Sequence, residues 1–434
     1  MRKLQFVLAL ALYSLVLLLA QPFLAIYLLK RGRKQPEYLA NWSQRFLANV
    51  PRGFQGLSGS KRIWVHVVSV GETHAVSPLV KLWAASHPEH VWLFTSTTPT
   101  GQATARQLFS DLKGVQFSYL PYDLPWLIRR AIRRFNASQL WLVETELWPN
   151  LILQAKRAGV PASLVNARIS PRSGRRLLKL SFLATPVLRS LHRIVCQTHE
   201  DGQVFSQLGR PADAICGNLK FDVSRREDLI KLGGQWRSAF SGPVLLFASS
   251  REGEEAIFLD ALIRQQFFKR LPQASVWIVP RHPQRFDEVF AAMDAAASRM
   301  GIARPQRRSR WSGQPSEGPT GLVLGDSMGE MPAYYSAADL CLLGGSWLPF
   351  GGQNLIEACA YGCPVWMGPN TFNFSKAADD ALLAGAARRF DMLSAACASF
   401  LEEYELVSGA KSRALEFAAL HAGAAQATLA VLAA

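Results

Sequence analysis

Glu72 closes the run "VHVVSVGE" (65–72), where a β-branched stretch meets Ser69-Val70-Gly71 and a helix-like pattern follows. A glycine at a strand-to-helix turn usually lets backbone amides approach an anionic ligand, yet here the next residue is itself an anion. Such a carboxylate is badly placed to hold a phosphate and well placed to take a proton from a substrate hydroxyl. A first-turn glutamate favoured by the helix dipole accounts for the same residue equally well. "LVETELWPN" (142–150) puts Glu144 and Glu146 at the end of another strand, ahead of Trp148 and Pro149. Two residues apart, they share a face if the strand continues. One is then free for chemistry while the other caps a helix or pairs with an arginine. Lys220 in "GNLKFD" is either a cation over a cleft or an ordinary solvated lysine.

Two later turns offer anion sites. "GGQNLIEA" (351–358) places two glycines before a helix expected to begin near Asn354. Free amides at a helix start attract phosphate, and Glu357, one turn in, could accept from a ribose hydroxyl. "GDSMGE" (325–330) is a second glycine-bearing loop after a strand. Turns that use glycine for positive φ explain either one as well. "VPRHPQRF" (279–286) adds Arg281, whose fork suits phosphate or carboxylate, with His282 and Arg285. There is no GxxxxGK[ST], no GxGxxG after the first strand and no Asp-x-Asp pair. His and carboxylate spacing matches no metal site, which disfavours metal-dependent chemistry.

These groups need elements to position them. From residue 61 onward, short apolar runs alternate with helical patterns, as in a parallel α/β sheet. Strands are expected at 63–68, 91–96, 115–120, 140–145, 161–166 and 193–198, and again at 244–249, 275–280, 321–326, 339–345 and 363–368. The polar, glycine-bearing stretch at 223–242 reads as a linker, and 303–320, dense in Pro, Gly, Ser and Arg, as a surface loop. Two α/β domains, 35–222 and 243–434, would face each other across a cleft.

Residues 1–34 differ from the rest. "LQFVLALALYSLVLLLAQPFLAIYLL" (4–29) exceeds the ~20 residues that span a hydrocarbon core, and Lys30-Arg31-Gly32-Arg33-Lys34 follows it. The heavier basic flank predicts a single uncleaved N-terminal anchor with the bulk of the chain cytoplasmic. The 434 residues carry a net charge of +16, with a pI near 9.9. That asks for an anionic partner. No nucleic-acid-binding signature is present, so none is expected there. Cations interleaved with Leu, Phe and Val at 166–193, and "IRRAIRRF" (128–135), suit anionic lipid or a solvated face. The six cysteines form no CxxC and read as buried thiols of a reducing compartment.

Taken together, "SVGE", "TTPTGQ", "LPYDLPW", "ETELWPN", "NARIS", "GNLKFD", "EGEE", "VPRHPQRF", "GDSMGE" and "TFNF" resemble the 3-deoxy-D-manno-octulosonic acid (Kdo) transferases, in the family's order, from about residue 25 to 375. The resemblance implies a GT-B glycosyltransferase with two Rossmann-like domains, the first binding acceptor and the second the CMP-sugar. It implies an inner-membrane enzyme with CMP-Kdo as donor substrate, lipid A precursor as acceptor, anionic lipids as surroundings, and no metal or other cofactor. Glu72 matches the family's catalytic base. Glu144 and Lys220 match positions assigned to transition-state stabilisation. Contacts to CMP correspond to Pro280 and Arg281, to Met328, Gly329 and Glu330, and to Asn354, Leu355, Ile356 and Glu357. This chain departs from the usual pattern at Gln353 and Leu355, where histidine and proline are common, and at Arg251, where a histidine is usual. Two alternatives stay open from the residues: a transferase using another nucleotide sugar on a lipid acceptor, and a non-catalytic binder of acidic glycolipid.

Overall fold

Runs of Val, Ile, Leu, Phe and Trp that are apolar on both faces are stable as strands only when helices cover both sides of a parallel sheet. The computed structural model, which describes the chain except residues 1, 34, 51–59, 224, 313–320 and 408, contains two such sheets. The first comprises β1 (Arg62–His66), β2 (Val91–Ser96), β3 (Gln116–Tyr119), β4 (Gln139–Val143), β5 (Ala162–Ala167), β6 (Arg193–Cys196) and β7 (Ala214–Ile215). Its order is β3-β2-β1-β4-β5-β6-β7, and every pair is parallel. The second comprises β8 (Val244–Ser250), β9 (Ser275–Pro280), β10 (Gln306–Arg307), β11 (Gly321–Leu324), β12 (Leu340–Leu343), β13 (Val365–Met367) and β14 (Ala387–Arg389). Its order is β10-β11-β9-β8-β12-β13-β14, again all parallel. In each sheet the winding reverses beside the first strand, β1 or β8. Open α/β sheets bind ligands beyond the carboxyl ends at such reversals.

The chain divides into two compact units, Met1–Asp222 with Gly423–Ala434, and Val223–Ala422. Two boundaries differ from the sequence reading. Residues 223–242 are not a linker, because Glu227–Ser238 form a helix of the second unit. Its Trp236 is fully buried, with its ring centroid 5.1 Å from that of Tyr334 and 6.1 Å from that of Trp277. The last helix, Ala424–Ala433, belongs to the first unit instead of the second. Ala424, Ala425 and Leu432 join the core of Val76, Val80 and Leu219. The Asp222 carboxylate accepts from the N–H groups of Gly423 (3.1 Å) and Ala425 (2.6 Å), which supplies the helix start with acceptors. The loop expected at 303–320 also carries the edge strand β10 and a buried Trp311, and its residues 313–320 lie outside the described residues.

The N-terminal apolar run does not form one straight spanning helix. It forms α1 (Arg2–Leu19) and α2 (Gln21–Gly32), bent by 43°. Pro22, at the start of α2, has no N–H to continue the ladder of α1. The stretch Ala410–Ala433 is also apolar and long enough to cross a membrane. Gly423, at φ +88°, divides it, and its two halves belong to different units.

Candidate active site

The first unit gathers carboxylates at the ends of β1 and β4. Ser69 caps the helix α3 (Val70–Ser86), its Oγ accepting from the Glu72 N–H at 3.4 Å. The Glu72 carboxylate turns back and accepts from Val68 N–H (2.6 Å) and Ser69 Oγ–H (3.1 Å). Glu72 thus holds the helix start much as a capping-box glutamate does, with its backbone donor one residue before the cap. It is also half-buried. Burial pushes its carboxyl up to about 7; the Val68 N–H pulls it down, and the charges of Glu146 and Glu144 push it further up. A carboxylate poised near neutrality is what general-base work at physiological pH requires.

The neighbouring motifs hold this corner in place. Thr98 of "TTPTGQ" donates its hydroxyl to the Val68 carbonyl at 2.8 Å. A Cβ on Gly101 would lie 2.9 Å from that same carbonyl oxygen, so glycine permits the approach. Glu144 follows β4 at φ +62°, a left-handed conformation rare for a residue with a side chain. Its Oε1 lies 2.6 Å from Lys220 Nζ. Lys220 is fixed from behind: Leu219 is fully buried, and its N–H donates to Asn166 Oδ1 of "NARIS" at 2.9 Å. The Lys220 side chain is thus both ion-paired and 30% exposed. Glu146 pairs with no arginine among the described residues; it accepts from Trp148 Nε1 (2.7 Å) and faces the buried His66 Nε2 at 3.6 Å.

In the second unit the expected nucleotide contacts lie at and beyond the carboxyl ends of β9, β11 and β12. Pro280 ends β9, the N–H of Arg281 donates to the Ser250 carbonyl at 3.0 Å, and Arg281 is exposed. Asn354 caps the helix Leu355–Ala360, its Oδ1 accepting from Ile356 N–H at 3.1 Å. Leu355 and Ile356 are fully buried core residues of that helix. Glu357 is pushed up by burial and drawn down by the Arg281 charge, which couples the two groups. Met328 is exposed beside Gly329 at φ +78°. Glu330 accepts from Arg308 at 2.9 Å. Arg285, by contrast, is buried and ion-paired with Glu255 at 2.7 Å, so it is structural.

Residues 40–223 match the family described as 3-Deoxy-D-manno-octulosonic-acid transferase (kdotransferase). The 3-deoxy-D-manno-octulosonic acid transferase of Bordetella pertussis is 43% identical, with 85% of this chain and 86% of that protein covered. The chain belongs to the Kdo transferase family. The Haemophilus influenzae transferase is 32% identical over 83% of this chain and 82% of its own length. UDP-GlcNAc 2-epimerase from Neisseria meningitidis shares the fold, with a TM-score of 0.54 at 14% identity over 86% of this chain and 99% of that one. The protein is accordingly a glycosyltransferase enzyme, built from two parallel-sheet α/β units that resemble those of GT-B glycosyltransferases. Among the described residues no group of three or more His, Cys, Asp or Glu side chains is placed to hold a metal ion.

The transferase also uses buried carboxylates that sequence reasoning left without a role. Glu254 of "EGEE" is fully buried and accepts from the N–H groups of Gly345 (2.7 Å), Arg251 (2.9 Å), Trp347 (3.0 Å) and Leu348 (3.2 Å). It fixes the glycine turn after β12. Asp123 of "LPYDLPW" accepts from Asn150 N–H (3.0 Å) and Leu151 N–H (2.8 Å) at the start of the helix that follows Glu144. For Asp123 the available signal was an acidic residue within an otherwise apolar motif; Glu254, one of three glutamates in "EGEE", carried none.

Proposed function

We propose that the protein transfers Kdo from CMP-Kdo to the distal glucosamine of lipid A precursor with inversion, Glu72 acting as general base. The observation that carries this is the Glu72 carboxylate at the β1 end, held by Val68 and Ser69 and poised near neutral pH. Glu72 takes the proton of the acceptor's primary hydroxyl, and the oxygen attacks the anomeric carbon of Kdo. The bond from that carbon to the phosphate oxygen breaks, and CMP departs with the electron pair. Lys220, oriented by Glu144, stabilises negative charge on the donor, and Arg281 does so on the leaving phosphate. Pro280, Met328, Gly329, Glu330 and the Asn354–Glu357 segment bind the nucleotide, with Glu357 accepting from ribose. No metal or other cofactor takes part. The enzyme works at the inner membrane, held by its N-terminal helices, with the catalytic units in the cytoplasm and basic helices such as Pro125–Phe135 meeting anionic lipid.

Titration calorimetry with the full chain tests the donor half. CMP should bind at least tenfold more tightly than UDP, and Arg281→Ala should weaken CMP by about tenfold or more, the loss of one charge-assisted contact. Equal affinity for UDP would favour a different nucleotide sugar and overturn the CMP-Kdo assignment.

A further inference from the structure

The contacts of α1 say how it meets lipid, given the membrane attachment just proposed. Its less exposed positions, among them Phe6, Ala9, Leu10, Tyr13, Ser14 and Leu17, recur at helical spacing and form one stripe. That stripe lies against the first unit. Phe6 packs on the unit's core, the helix Ser181–Leu188 touches α1, Tyr13 Oη donates to Asp123 Oδ2 at 3.0 Å, and Asn150 Nδ2 donates to Ser14 Oγ at 3.1 Å. These contacts run from Phe6 to Ser14, ~12 Å of helix length. A helix leaving its domain to cross a bilayer would touch it only at one end.

The opposite face is apolar and open. Leu4, Val7, Leu8, Leu12, Leu15 and Leu19 are 50–64% exposed. After the bend, Phe23 and Ile26 on α2 are exposed as well, and Lys30 and Arg31 close its last turn. In a free interfacial helix a polar face looks to water while the apolar face enters the acyl boundary. Here the protein itself occupies the inner side.

We infer that α1 and α2 form a monotopic seat: α1 lies along the cytoplasmic leaflet with its back on its own domain and its outer leucines in the hydrocarbon, and it does not cross the membrane. Its occupant is the acyl region of one leaflet, with Lys30 and Arg31 at anionic headgroups. Asp123 is the latch. It holds Tyr13 of α1 through the same carboxylate that holds Asn150 and Leu151, just beyond Glu144. The end of β4 is thereby tied to the membrane plane, where the sugar of a lipid acceptor lies.

Nitroxides placed one at a time at Leu4, Leu8, Leu12, Leu15 and Leu19 of the full chain, bound to phosphatidylethanolamine–phosphatidylglycerol vesicles, give the depth of each position. All five are expected at similar depth, ~5–10 Å below the headgroups. A progression of ~22 Å from Leu4 to Leu19, through the bilayer centre, would overturn the inference, because a crossing helix rises 1.5 Å per residue. Failure of the chain to float with the vesicles would overturn it too. Kdo transfer is measured on the same samples: transfer without an in-plane helix removes only the seat, and an in-plane helix without transfer removes only the catalytic proposal.

Discussion

Replacing Glu72 by glutamine removes the base while keeping an oxygen to accept from Val68 N–H, and its consequences follow from the environment of that carboxylate. Folding holds the Glu72 proton more tightly than the unfolded chain does, with a pKa of about 7 against an ordinary 4.5. The group therefore contributes stability that is complete below about 4.5 and lost as pH rises through about 7. The full difference corresponds to roughly 3 kcal/mol, which partial solvent exposure reduces to about 1–2 kcal/mol. Glu72→Gln cannot ionise, so at pH 8 it should unfold some 2–8 °C higher than wild type, at roughly 2–4 °C per kcal/mol for a unit of this size. At pH 4.5 the two should nearly coincide. Activity should move the other way. Transfer falls by about 10²–10⁴-fold, the usual contribution of a positioned base. In wild type, kcat/KM should rise about tenfold per pH unit up to near 7 and then level. Scanning calorimetry at both pH values and initial rates from pH 5 to 8, with the spontaneous loss of donor subtracted, measure all of this. Equal melting of the two proteins at pH 8, with transfer retained in the variant, would refute the reasoning.

Other perturbations have equally definite outcomes. Lys220→Ala leaves the Glu144 carboxylate without its cation at 2.6 Å; kcat should drop about 10²–10³-fold, with CMP affinity unchanged by calorimetry. Arg285→Ala strands the buried Glu255 and should cost about 3–5 kcal/mol, read as a lower urea midpoint. Gly344→Ala would put a Cβ 2.2 Å from the Ser249 carbonyl oxygen; a shift of the turn after β12 follows, and CMP binding should weaken at least tenfold while the first unit melts as before.

Both sheets were legible because parallel strands buried on two faces are written as uninterrupted apolar runs. Three short strands escaped, since β7, β10 and β14 hold only two or three residues each at or near a sheet edge. The helix Glu227–Ser238 reads as a linker in the sequence because its stretch is polar and charged and carries Gly233 and Gly234. The structure gives Gly233 another purpose: a Cβ there would meet the Ala333 carbonyl oxygen at 2.4 Å, so glycine permits two helices to touch. Glu72 could be placed at a strand end from its flanking residues alone. Its raised pKa, the left-handed backbone of Glu144 and the anchoring of Lys220 through Asn166 could not. Each depends on strands far apart in the chain whose ends converge only once the sheet order is set. The N-terminal run showed its length but hid its inward stripe, because Tyr13 and Ser14 look incidental until Asp123 and Asn150 stand opposite them.

The most direct test of the central claim is a transfer assay with purified full-length protein, CMP-Kdo and tetra-acylated lipid A precursor, wild type beside Glu72→Ala, read by product mass and CMP release. The expected result is a glycolipid heavier by Kdo and a matching release of CMP from wild type. Neither should come from Glu72→Ala, although that variant still binds CMP. Folded wild type that yields no such glycolipid while turning over a UDP-sugar, or a Glu72→Ala variant that transfers Kdo at the wild-type rate, would contradict it.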